Sequence, residues 1–75
     1  MIIKFEILHK TSILLTSEKS FTAIAECSID NKNWVEIDRT KDCKMFFNFA
    51  YPSMSNYARI RIPKNKKIKV EIITL

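Results

Sequence analysis

Apolar residues recur at every second position along most of this chain. In "MIIKFEIL" Ile3, Phe5 and Ile7 share one side, while Lys4 and Glu6 share the other with Ile2 and Leu8. A period of two marks a half-buried β-strand, because successive side chains point to opposite faces. The same reading predicts strands in "TSILLT", "SFTAIAECSI", "CKMFFNF", "YARIRI" and "KIKVEIITL". Their expected inward rows are Phe21, Ala23, Ala25, Cys27 and Ile29; Cys43, Met45, Phe47 and Phe49; Ala58, Ile60 and Ile62; and Ile68, Val70 and Ile72. Phe46, Ile24, Ile73 and Leu75 fall on the opposite faces of their strands. Apolar residues on outer faces make either a contact patch or a surface covered by other segments. A helix opening near Ser17 competes for "SEKSFTAIAEC", but the alternation beyond Phe21 fits a strand better.

Glycine is absent, so Asn and Asp must occupy the positive-φ positions of the turns. "DNKN" (30–33) and "PKNK" (63–66) are placed to close hairpins over 21–37 and 57–73. "AYPSMSN" (50–56) is the longest loop, since Pro52 is excluded from a central ladder position. About seven short strands with turn signals between them predict one all-β domain over 1–75. The expected architecture is a small antiparallel β-sandwich or jelly-roll-like barrel.

Size and composition narrow the class. A chain of 75 residues makes one domain with a thin core. Small scaffolds often gain stability from a partner chain, so a homo-oligomer is expected. No apolar run approaches the ~20 residues of a membrane span. Lys4 and Glu6 interrupt the first apolar run, which argues against a signal peptide. The expected location is a cytoplasm, or the host cytoplasm or virion if the chain is viral, with no membrane partner.

The net charge of +5 is unevenly spread. Residues 1–42 carry six basic and seven acidic side chains, and residues 43–75 carry seven basic and one acidic. Six of the basic residues lie between Arg59 and Lys69. If 57–62 and 67–73 pair as hairpin arms, Arg59, Arg61, Lys67 and Lys69 form a two-by-two basic square, with Lys64 and Lys66 at its tip and Tyr57 extending one row. Those seven residues are the candidate partner-binding set. The functional reading is contact with phosphates or with an acidic protein surface. The structural reading is a solvated face that blunts an edge, for which Lys is a common device.

Little here suggests catalysis. His9 and Cys27 are the one base and nucleophile to consider, but His9 sits in a polar break and Cys27 on an apolar row. Asp30, Asp38 and Asp42 are spread over turns, and a phosphate-cradling loop needs glycines. No catalytic residue, cofactor or metal site is expected, and the chain reads as a non-enzyme. Cys27 and Cys43 are expected to be reduced, as thiols in a cytoplasmic chain usually are. Trp34 is either an exposed anchor or a core residue at the start of a strand.

Ser28, Asp30 and Trp34, followed by Ala58, Arg59, Ile60, Arg61 and Ile62, resemble the C-terminal half of discoidin-like β-sandwiches. In that family a strand ends in Ser-x-Asp, turns and resumes with Trp, and a later strand alternates apolar residues with Arg. The similarity covers Glu26 to Ile73. Discoidin-like domains are longer, and their ligand loops lie largely outside this part, so no ligand residue carries over. The resemblance implies a reduced jelly-roll-like sandwich that binds rather than catalyses, and it suggests carbohydrate binding at loops such as that of Tyr51 as a third option.

The function expected from the residues is a non-catalytic protein–protein interaction or structural module. A short, Gly-free, Lys-, Asn- and Ile-rich chain suits a phage or viral accessory protein, either a virion component or an inhibitor docking on a host complex. Its partner would be a protein with an acidic surface or a second copy of itself. The alternative is a nucleic-acid-binding β module using the basic 57–69 face.

Overall fold

In the computed structural model, residues 1–8, 10–49, 56–64 and 67–74 are described. The protein is all-β, and five strands form one antiparallel sheet: β1 (Ile2–Glu6), β2 (Thr11–Ser28), β3 (Val35–Phe49), β4 (Tyr57–Arg61) and β5 (Lys69–Thr74). Seven strand candidates become five because two pairs merge. "TSILLT" and "SFTAIAECSI" are consecutive parts of β2, and "CKMFFNF" continues the strand that begins after Trp34. No helix forms over Ser17–Cys27.

β2 organises the sheet. β3 follows one side of it along its length, from Thr11↔Phe49 to Cys27↔Val35. On its other side β5 pairs with Thr11–Thr16 and β4 with Ile24–Ser28. β1 then pairs with the far side of β4, from Ile2↔Arg61 to Glu6↔Tyr57. Backbone bonds between Met1 and Ile62 (2.8 and 3.0 Å) and from Ile7 N–H to Asn56 C=O (2.8 Å) extend that ladder at both ends.

The expected hairpin over 57–73 does not form. β4 and β5 lie one after the other along the same side of β2, both antiparallel to it. The turn at 63–66 therefore does not fold β5 back on β4; residues 65 and 66 themselves lie outside the described set. The hairpin expected over 21–37 does form, as the end of the longer β2–β3 pair.

The long β2–β3 ladder is interrupted twice. Between Thr16↔Lys44 and Phe21↔Asp42 the four residues Ser17–Ser20 oppose Cys43 alone. Between Ala25↔Asp38 and Glu26↔Glu36 the extra residue is Ile37. Extra residues of this kind bend a strand and raise its local twist.

One apolar cluster joins the whole sheet. Phe21, Ile13, Leu15 and Ile60 are its largest fully buried side chains, with Ala23, Ala25 and Ala58 between them. Met45, Phe47 and Phe49 complete it from β3, and Ile7 and Ile62 from the ends of the β1–β4 ladder. Phe5 meets Phe49 edge to face, with ring centroids 5.2 Å apart at 77°. Most expected inward rows hold. Ile29, Cys43 and Ile72 are exceptions and are exposed: Ile29 lies beyond β2, Cys43 at the bend and Ile72 on an outermost strand. Phe46 faces outward and is 55% exposed, as its place in the alternation requires.

Candidate functional site

The β2–β3 turn is built by side chains. Asp30 accepts hydrogen bonds from the backbone N–H of Lys32 (2.9 Å) and Asn33 (2.8 Å), from the Asn33 amide (2.8 Å) and from the Ser28 hydroxyl (3.0 Å). The Ser28 hydroxyl in turn accepts from Asn31 N–H (2.9 Å). Asn31 has φ 63°, the left-handed conformation that Asn tolerates better than most residues. Ser28 and Asp30 thus have a local structural role. The bonds from Asn33 and Lys32 hold the Asp30 carboxyl well below its ordinary value.

Trp34 leaves this turn half-buried and outside the apolar core. The Arg59 guanidinium lies over its ring, 4.3 Å from the centroid. Trp34 is therefore neither a bare anchor nor a core residue, but a cover for one cation.

The basic residues are dispersed. Arg59, Arg61 and Glu26 share the face of β4 and β2 opposite the core, where Glu26 is opposite Arg59 and Ile24 opposite Arg61. Glu26, only 7% exposed, accepts a bond from Arg59 at 2.8 Å and lies 3.7 Å from Arg61. Arg59 is thus enclosed by an acid and an indole. Arg61 and Lys64 line a shallow depression of ≈ 590 Å³ together with Ile2, Ile24, Ile62 and Arg39. Lys67 and Lys69 border a separate depression of ≈ 900 Å³ beside the β2 bend, and Lys69 pairs with Glu71 at 3.1 Å. Tyr57 is half-buried opposite Glu6 and Ser28. Lys66 lies outside the described residues, as do His9, Tyr51, Leu75 and most of the 50–56 loop. The two-by-two square does not exist, because β4 and β5 follow one another along β2.

The alternation missed a different surface. Among the described residues β3 pairs with β2 alone, which leaves its other edge open. From Val35 to Lys44 every side chain is exposed except Thr40, which is half-buried. Asp38, Thr40 and Asp42 share the face of Ala25, Ala23 and Phe21, while Arg39 and Lys41 share that of Ile24 and Thr22. The core therefore ends at β2 in this region. Val35 is 66% and Ile37 55% exposed. Arg39 bonds Glu36 at 2.8 Å, which lowers the Glu36 carboxyl below its usual range. The sequence signal was the run "EIDRTKDCK", in which apolar residues become sparse while strand pairing continues.

The remaining chemistry is sparse. No disulfide joins Cys27 and Cys43. Among the described residues, no group of three or more His, Cys, Asp or Glu is placed to hold a metal ion, and no helix is long and apolar enough to cross a membrane. No family model, curated protein or solved structure matches the chain.

Proposed function

We propose that this chain is a non-catalytic protein-interaction module that docks through the open edge of β3. The observation that carries this reading is the Val35–Lys44 stretch, held as a strand while nearly all its side chains stay in water. Ordering a backbone costs about 1–2 kcal/mol per residue, and this stretch recovers little of that by burial. An open strand edge presents a row of N–H and C=O groups, the template used when a peptide adds a strand to a sheet. Exposed Val35 and Ile37 supply apolar contact at one end of that edge. A small-sandwich arrangement belongs to this reading and is supported by the Phe5–Phe49 contact. A virion component or an inhibitor seated on a host complex would both use such an edge.

The nucleic-acid alternative draws less support from the geometry. Arg61 and Lys64 line one depression and Lys67 and Lys69 another, and Glu26 pairs with Arg59 and lies near Arg61.

The test is affinity capture from the source extract with the unaltered chain and with Val35→Lys/Ile37→Lys, whose positions are exposed and leave the core intact. Proteins retained by the first and lost by the second support the reading. Capture of no protein by the unaltered chain, or of the same set by both, overturns it. A shift of random-sequence nucleic-acid probes at low salt, where phosphate contacts are strongest, would favour the alternative instead.

A further inference from the structure

We infer that the β3 edge rejects a second copy of this chain and accepts a foreign strand of reciprocal charge order. This rests on the docking edge proposed above and specifies the chemistry of its occupant. Asp38-Arg39-Thr40-Lys41-Asp42 is the regular stretch of the edge, bounded by the irregularities at Ile37 and Cys43. Its charges read the same in both directions: acid, base, neutral, base, acid.

That symmetry has a geometric result. Two copies meeting edge to edge in an antiparallel pair are related by a two-fold axis normal to the sheet. Each face then stays on its own side, so a residue meets only residues an even number of positions away. Centred on Thr40, the pair sets Asp38 against Asp42 and Arg39 against Lys41, each twice. Centred on any of the four charged residues, the pair sets that residue against its own copy. No symmetric register within the stretch brings opposite charges together. Like charges directly opposite destabilise strand pairing, and the flanking irregularities already discourage it.

A strand ordered base, acid, neutral, acid, base reverses every one of these contacts. Its two bases meet Asp38 and Asp42 on the core side, and its two acids meet Arg39 and Lys41 on the other. The Arg39–Glu36 bridge is an exposed pair, and such pairs are weak enough to exchange for an incoming acid. The palindrome makes the match independent of strand direction. The edge thus discriminates by repulsion as well as attraction.

The experiment uses the full chain and its charge-inverted variant D38K/R39E/K41E/D42K, which has the same net charge. All four positions are exposed, and a thermal melt checks that the variant folds. Adding unlabelled variant to isotope-labelled wild type should shift backbone amides of residues 35–44, while added unlabelled wild type should not. A synthetic Thr-Val-Lys-Glu-Val-Glu-Lys-Val-Thr peptide should bind wild type at least about tenfold more tightly than its Thr-Val-Glu-Lys-Val-Lys-Glu-Val-Thr permutation. The variant should reverse that preference, which keeps the proposal testable if the two full chains clash elsewhere. Equal binding of both peptides, binding of neither, or wild-type self-pairing through 38–42 overturns the charge code. If that code fails while Val35→Lys/Ile37→Lys still abolishes protein capture, the docking reading survives without it. If the unaltered chain captures nothing, the docking reading itself fails.

Discussion

Phe5 and Phe49 touch edge to face at 5.2 Å although β1 and β3 are not neighbours in the sheet. Among the described residues Phe5 belongs to a strand paired with β4 alone, and Phe49 is opposite Thr11 at the far end of the β2–β3 ladder. Their contact joins two strands that share no ladder, so its energy should couple them. Phe49→Ala should cost about 3–4 kcal/mol, as for other buried Phe truncations. A double-mutant cycle with Phe5→Ala should give a coupling of about 0.5–1.5 kcal/mol, read from urea unfolding. Strict additivity would mean that the rings do not interact.

Glu26 is the next test, because it lies almost wholly buried between two arginines. Glu26→Ala leaves Arg59 without its acid in a poorly solvated place and should cost about 3 kcal/mol. Arg61 is half exposed and 3.7 Å away, so Arg61→Ala should change stability by no more than about 0.5 kcal/mol. Denaturant midpoints of the two variants decide this. Equal effects would show that Glu26 serves both arginines alike.

Asp30 links the turn to pH. Its carboxyl sits below its ordinary value of 3.8, held down by bonds from Asn33 and Lys32. A lowered folded-state value favours folding above that ordinary value and loses the contribution as pH falls below it. Stability should therefore decline from pH about 5 downward, and Asp30→Asn should flatten part of the decline. Urea midpoints measured against pH for both proteins give the comparison; parallel curves would remove Asp30 from the account.

Asn31 makes a backbone prediction. At φ 63° a β-branched side chain collides with its own backbone, so Asn31→Val should cost about 1–2 kcal/mol. Asn31→Gly should hold or slightly raise the melting temperature, since glycine adopts this conformation freely. A drop with Gly as large as with Val would assign the effect to the lost amide instead.

Much of this was legible in the chain. Alternation placed Phe21, Ala23, Met45, Phe47 and Ile60 on the core side and Phe46 outside, because that pattern is local. The Asn and Asp turn was equally local, and Asn31 adopts the positive φ expected of "DNKN". What alternation cannot express is which strand lies beside which. The spacing of 57–62 and 67–73 suggested hairpin arms, whereas both are laid along β2, tens of residues earlier. Charged stretches misled for a related reason. Ser17–Lys19 and Asp38–Asp42 fell between the expected strands, but they belong to the bend of one strand and the open side of another, where strand pairing continues without burial. The basic comb looked like a site because Glu26, the acid that occupies its centre, is 33 positions before Arg59.

β2 bonds to three strands, one along its whole length and two in succession on its other side. The β1–β4 pair and β5 share no ladder with each other, and among the described residues each joins the rest of the sheet through β2. Amide protons in the β4 ladder and in the β5 ladder should therefore exchange through the same opening event. The protein would melt as one cooperative unit, and a proteolytic cut within the bend at 17–20 would release both ends together.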